Sequence, residues 1–215
     1  MASDAPVKDE TNPSHQRPQI PLVQERMPVL TFAAPHPATL ADEQLREGCD
    51  LRTQRRSGPG GQHRNKTSSG AFLHFTLTGT TAEATERRSQ ADNREIALVR
   101  LRFRLAVEVR TPSLLDSPPD EPSRESQTGS LDPAEHALRA KYHKHPLKLS
   151  DRNPDKPAVL ALLLNDLHAS GGQPSAIAPL WEVSTSSIVR LIKSHPPAFV
   201  FLNAVRQHHG RRPLG

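Results

Sequence analysis

"GAFLHFTLTGTTAEATERRSQADNREIALVRLRFRL", residues 70–105, changes its periodicity halfway along. Up to Glu86 it is rich in Phe, Leu and Thr, and apolar and polar residues roughly alternate, with Gly79 placed for a turn. Alternation sends successive side chains to opposite faces of a sheet, so the run reads as strand, turn, strand. From Ser89 the period lengthens. Ser89 and Asp92 have the spacing of a helix N-terminal capping box. Ala97, Leu98, Leu101 and Leu105 then share one helical face, with Arg94, Arg100, Arg102 and Arg104 around the rest. The end of the run, "RLAVEV", also alternates, which leaves the last turns open to a strand reading. Upstream, "LRTQRR" at 51–56 reads as a further strand. The expected fold of this part is α+β, a small mixed sheet with one helix.

Between those strands lies "SGPGGQHRN", residues 57–65. Pro59 fixes its own φ, and Gly60 and Gly61 reach backbone conformations closed to other residues. A backbone without side chains can press close to a large ligand. It can also aim N–H groups at a developing oxyanion, where one positioned donor is worth about 3 kcal/mol of barrier. Gln62 donates and accepts hydrogen bonds but is no general base. The Gly60–Gln62 part of the stretch therefore supplies no acid–base catalyst, no nucleophile and no metal ligand set. Any catalysis by it must work through orientation and oxyanion stabilisation, with a partner supplying the rest. Arg55, Arg56, Arg64 and Lys66 flank it and suit a phosphate-rich partner. A plain Gly-Pro-Gly-Gly turn joining two strands accounts equally for the residue types.

The two stretches together resemble the catalytic domain of class-I peptide chain release factors and of their shorter relatives, the codon-independent ribosome-rescue hydrolases. The resemblance rests on the Gly-Gly-Gln loop and on "RSQADNREIALVRLRFRL", where Arg88, Ser89, Gln90, Asn93, Arg94, Ala97, Leu98, Leu101, Arg102, Arg104 and Leu105 match the family pattern. It covers about residues 48–110. It implies a small α+β domain that enters the peptidyl-transferase centre of the large ribosomal subunit and hydrolyses the peptidyl-tRNA ester. Gly60, Gly61 and Gln62 would be catalytic, with the Gln62 N–H stabilising the tetrahedral transition state and its side chain admitting water. Arg55, Arg56, Arg64, Asn65, Lys66, Arg87, Arg88, Arg94 and Arg102 would contact ribosomal RNA and tRNA. Gln62 would be a target for methylation, with a glutamine methyltransferase as an implied partner. No cofactor and no metal are implied, because the ribosome supplies the remaining chemistry. Only about 50 residues, mostly of low complexity, precede the resemblance, so codon reading is not expected. Pro37 to Thr39 spells a stop-codon-reading tripeptide of the family, read here as accidental.

Outside this part the charge alternates in blocks. Residues 1–51 carry a net −4, 52–104 a net +7, 105–131 a net −3 and 132–215 a net +5. Two basic blocks around an acidic spacer fit two modules meeting a polyanion. Residues 1–38 contain many prolines and polar residues without periodicity and are expected to be disordered. "TLADEQLREG" reads as a short helix capped by Thr39 with Asp42, stopping at Gly48. The boundaries expected are a catalytic domain at 39–110, a Pro/Ser-rich linker at 111–131 and an all-α domain at 132–215. Asp132, Pro133 and Glu135 start the first helix of that last domain, with others at about 157–169, 174–181, 185–194 and 197–209. "SAIAPLWEVSTSSIVRLIKS" resembles a helix-turn-helix, with Ser184 as N-cap and Ile188, Leu191 and Ile192 inward. Thr185, Ser187, Arg190 and Lys193 would be partly exposed. A second Gly-Gly-Gln, at Gly171, Gly172 and Gln173, lacks the basic flanks and reads as a turn between helices. The alternative function is a non-catalytic nucleic-acid binder using the helix-turn-helix. Cys49 is the only cysteine, so neither an internal disulfide nor a thiolate zinc site is expected. No apolar run approaches the ~20 residues of a membrane span, and the acidic N-terminus resembles no leader. A cytoplasmic location is the expectation.

Overall fold

Ala71, Leu73 and Phe75 are buried while Phe72 and His74 between them are not, so the alternation seen in the sequence is a sheet with one covered face. The computed structural model describes residues 25–54, 69–116 and 132–215. In chain order its elements are β1 (Leu30–Thr31), a 3-10 turn (Pro37–Thr39), α1 (Asp42–Glu47), β2 (Cys49–Gln54), β3 (Gly70–Phe75), β4 (Thr81–Ala84), α2 (Gln90–Glu108) and β5 (Val109–Arg110). A second 3-10 turn (Leu114–Asp116) follows, then α3 (Pro133–Tyr142), α4 (Lys156–Ala169), α5 (Pro174–Trp181), α6 (Thr185–Lys193) and α7 (Pro196–His208). β2, β3 and β4 form an antiparallel sheet in that order, with Leu51 opposite Leu73 and Leu73 opposite Ala82. β1 and β5 make a short parallel pair.

α2 begins where its cap predicts, the Ser89 hydroxyl accepting from the Asp92 N–H at 3.2 Å. It continues as a helix through "RLAVE" and gives way to strand only at Val109. Ala97, Leu98, Leu101, Leu105 and Ala106 are buried, and α2 packs on β3 and β4 on one side and on α4 on the other. α4 explains the second contact. Every residue of "KPAVLALLLNDLHA" is buried. A helix apolar all round needs neighbours all round, and α4 touches α2, α3, α5, α6, α7 and β5. One hydrophobic core therefore runs from the sheet through α2 into the C-terminal helices.

This continuity differs from the modular reading. Residues 25–38, expected to be disordered, run along the core: Phe32 N–H donates to Arg110 O at 2.8 Å, and His168 Nε2 meets Met27 O at 2.7 Å. His36, Pro37 and Ala38 are buried. Residues 111–116, expected to be linker, are docked as well. The Thr111 N–H donates to Asn165 Oδ1 at 3.2 Å, and Ser113 Oγ donates to Asp166 Oδ1 at 2.7 Å. The helix expected from Thr39 starts later, at Asp42, where Gln44 Oε1 accepts from the Ala41 N–H. Thr39 instead donates its hydroxyl to His36 O at 2.7 Å.

Asp166 joins the parts. It has no exposed side-chain surface. Its Oδ1 accepts from Ser113 Oγ at 2.7 Å and Arg139 at 3.0 Å, and its Oδ2 from Arg139 at 2.7 Å and Trp181 Nε1 at 2.8 Å. Removing a buried carboxylate from such a cluster strands the guanidinium. Asp166→Ala is expected to cost about 3–5 kcal/mol of folding stability, read by denaturant unfolding.

His36 contributes a pH dependence. Its Nδ1 accepts from the Ala38 N–H at 3.0 Å and its Nε2 faces Val109 O at 3.0 Å, so the ring is neutral with its proton on Nε2. Burial, and then the Arg110 guanidinium, push its pKa from 6.5 down to about 3. The unfolded chain binds this proton first. Stability should therefore fall as pH drops from about 6.5 towards 3, by up to about 1.4 kcal/mol per pH unit from this group. Glu135, raised chiefly by burial, opposes it in part. Unfolding midpoints across that range should fall less steeply for His36→Asn than for the parent chain.

Candidate functional site

Gln54, the last residue of β2, pairs with Gly70, the first residue of β3. Both ends of the connecting stretch are thus held at one end of the sheet. A Cβ on Gly70 would stand 3.0 Å from Gln54 O and 3.1 Å from Thr85 Cγ2, so a side chain would push the strands apart there. Gly60, Gly61 and Gln62, with Arg55, Arg56, Arg64, Asn65 and Lys66, lie outside the described residues.

Asn93 ties this end together. It is fully buried. Its Nδ2 donates to Ser69 O at 2.7 Å and to Arg87 O at 2.9 Å, and its Oδ1 accepts from the Arg87 N–H at 2.9 Å. One carboxamide thereby fixes the approach to β3 and the chain entering α2. An aspartate could not replace it, having no N–H to give. Asn93 belongs to the motif that carries the family resemblance, yet its sequence context assigned it no role. A buried amide on a helix whose neighbours are charged was the available signal.

Four cationic positions are expected among the described residues, and they divide. Arg87 and Arg88 lie exposed in the connection from β4 to α2, and Arg94 is exposed on the first turns of α2. Arg94 also borders a groove of about 300 Å³ between α2 and β2, lined by Cys49, Leu51 and Leu98 among others. These three arginines gather at the Asn93 end of the sheet. Arg102 does not join them. Its side chain is 12% exposed, donating to Ala38 O at 3.0 Å and to Asp42 Oδ1 at 2.5 Å. It is a structural tie between α2 and the 3-10 turn, and the RNA contact expected of it is corrected accordingly. Arg52, exposed on β2 with Phe72 as its register partner, is a further cation on the outer face of the sheet. The period-2 reading of "LRTQRR" would have placed it beside Gln54.

Two of the acids nearby are engaged. Glu86 accepts from the Thr85 N–H at 2.9 Å and from Arg100 at 2.5 Å. The Thr85 N–H foremost, and Arg100 with it, hold the carboxyl below its usual range, which makes it a poor base. Arg46 takes up Glu95 at 2.8 Å. The Cys49 thiol is half-buried and pushed up to about 11, first by burial and then by Asp50, so it is no nucleophile. What this end offers is cations and two paired strand ends.

Residues 43–148 match the RF-1 domain family, the catalytic domain of class-I release factors. Over residues 43–148, just under half of its length, the chain is thus similar to the release-factor catalytic domain. In particular it is similar to "Peptide chain release factor 1-like, mitochondrial" of Rattus norvegicus, 48% identical over 58 residues, which are 26% of this chain and 16% of the relative. "Peptide chain release factor 2" of Acidovorax sp. (strain JS42) is 48% identical over the same length and shares. "Peptide chain release factor 1" of Mesoplasma florum is 47% identical over 58 residues. The chain thus spans about one sixth of the length of the curated relatives it matches. The family match extends beyond residue 110, through α3, to residue 148.

Among the described residues no group of three His, Cys, Asp or Glu side chains is arranged to hold a metal, and no helix is long and apolar enough to cross a membrane. The second Gly-Gly-Gln is a helix-ending turn. The Gly172 N–H donates to Leu167 O at 2.7 Å, and a Cβ at Gly172, whose φ is 74°, would stand 2.5 Å from Arg206 Cγ.

Three substitutions separate structural from ligand-facing roles here. Asn93→Leu strands Ser69 O and the Arg87 peptide groups and should cost about 3 kcal/mol. Arg102→Gln should lower the unfolding free energy by about 1–3 kcal/mol, whereas Arg94→Gln should leave it within about 0.5 kcal/mol. Denaturant titrations of the three variants check both statements.

Proposed function

We propose that the chain hydrolyses the peptidyl-tRNA ester on the ribosome, without selecting a codon. The observation that carries the proposal is the Gly60-Gly61-Gln62 stretch, set between two strands whose paired ends and Asn93 clamp define a fixed base. Arg87, Arg88 and Arg94 at the same end provide contacts for ribosomal RNA phosphates. Neither Glu86 nor Cys49 can act as base or nucleophile, in keeping with a mechanism that borrows its other half from the ribosome. In that mechanism the Gln62 N–H stabilises the oxyanion, and the Gln62 side chain, a candidate for methylation, positions water. Ribosomal RNA and the tRNA ribose orient the ester.

Support for codon independence comes from Pro37–Thr39. In this chain Pro37 and Ala38 of that tripeptide are buried in a 3-10 turn, with Ala38 O held by Arg102. That burial speaks for a structural role of the tripeptide rather than a codon-reading one. The reading places the chain wherever ribosomes are.

Ribosomes stalled on a message without a stop codon, charged with labelled peptidyl-tRNA, test the proposal. The full chain should release peptide, and free peptidyl-tRNA should be a poor substrate. Gly61→Ala and Gln62→Ala should slow release by about 10²-fold or more, the scale of one lost oxyanion donor. Release by both variants at the parent rate would overturn the mechanism. Arg88→Gln with Arg94→Gln should weaken ribosome binding and lower its salt dependence.

A further inference from the structure

The segment between α3 and α4 carries "HKHPLKLS", residues 143–150, and lies across the turn joining α5 to α6. The Lys144 N–H donates to Trp181 O at 3.2 Å, and the Leu147 N–H donates to Ser187 Oγ at 3.0 Å. Leu147 and Leu149 are buried, which turns Lys148 outward beside Ser187. Along α6, Arg190 stands one turn beyond Ser187 and Lys193 one turn beyond Arg190, both exposed. Lys148, Arg190 and Lys193 therefore form a line across the segment and the helix.

The C-terminal part carries more cations than acids, and this line belongs to the surplus. Residues 132–215 contain six acids, and each is engaged. Asp132 caps α3, the Glu135 carboxylate accepts from the His36 N–H, and Asp166 is enclosed by Arg139. Asp151 holds Lys156, Asp155 holds Lys141, and Glu182 holds Lys144 and His143. No carboxylate among the described residues lies within ion-pair distance of Lys148 or Arg190. Among the described residues, Lys193 donates to the Gly215 main-chain oxygen and lies over the Phe199 ring.

The same segment bears on how a double helix could be met. A helix-turn-helix reading DNA inserts its second helix into the major groove and needs that helix's outer side bare. Here Ser187, expected to be partly exposed, is buried against Leu147 at the edge of that side, while Thr185, Arg190 and Lys193 stay exposed. A line of cations on a broad surface instead suits phosphates of double-helical RNA, whose deep, narrow major groove side chains do not enter. We propose that Lys148, Arg190 and Lys193 form a second contact surface, which binds the phosphate backbone of double-helical RNA without reading its sequence. It is separate from the Asn93 end of the sheet: Phe103, about 15 Å along α2 from Asn93, stacks on His195 at the start of α7 at 4.7 Å. The choice of RNA over DNA rests on the function proposed above; the surface itself does not.

The test uses the full chain and a fluorescent RNA hairpin of about 20 base pairs, titrated at several salt concentrations. A Gln62→Ala chain should bind the hairpin as the parent does, so a failed release assay would leave this measurement standing. Lys148→Glu with Arg190→Glu should weaken binding at least about tenfold at ~0.1 M salt. If that pair does not fold, Lys148→Gln with Arg190→Gln serves, and should lower the slope of log K against log salt by about 1.4–1.8. Unchanged affinity and slope in the folded variant would overturn the surface. Tighter binding to a DNA duplex of the same sequence would overturn the assignment to RNA.

Discussion

Asp166 sets the condition on which the rest of the molecule holds. It is a carboxylate without access to water, and its acceptor positions are filled by Ser113, Arg139 and Trp181, three donors from three separate stretches of chain. A buried charge is tolerated only when it is paired and hydrogen-bonded throughout. Residues following β5, α3 and α5 must therefore all be in place around α4 together. The Arg139 guanidinium also lies over the Trp181 ring, 4.9 Å from its centre, so the same residues share apolar and polar contact. Sheet and C-terminal helices cannot part without exposing that cluster.

That constraint gives the other end of the molecule its rigidity. α2 lies on the sheet along one side and on α4 along the other, and at its N-terminal end Asn93 grips Ser69 and Arg87. A connection meant to act by orientation alone needs such a base, because misplacement by about 1 Å can cost 10²-fold in rate. The Asn93 end of the sheet and the proposed RNA-binding line thus belong to one core and are separate surfaces on it. Each would meet phosphates, and the spacing between the surfaces is set by a packed helix.

Much of the local structure was legible in the residues. Ser89, Asp132 and Ser184 cap the helices they were expected to cap, accepting from Asp92, Ala134 and Ser187 respectively. Helices near 157, 174, 185 and 197 begin within a residue of the positions read from capping and periodicity. Gly171 and Gly172 end a helix as their context required. These features depend on neighbours a few positions away, and short-range chemistry decides them. The misreadings share the opposite property. Arg102 looked like one arginine among several on a basic helix, but its partners, Ala38 O and Asp42, are 64 and 60 positions distant. Ser187 looked exposed because Leu147, which covers it, is 40 positions away. Residues 25–38 have a disordered composition and no period of their own, yet the core supplies them with Val109, Arg110, Glu135 and His168 as partners.

By itself, then, the sequence determined most of the helices and strands and the resemblance to the release-factor catalytic domain, because caps, periods and a contiguous motif are written within a few residues of one another. Tertiary structure alone decided that the sheet and the C-terminal helices share one core, which arginines face outward and which are ties, and that Asn93 holds the base of the site. Burial and long-range hydrogen bonding choose among side chains of identical chemistry, and that choice is made only when distant stretches of chain come into contact.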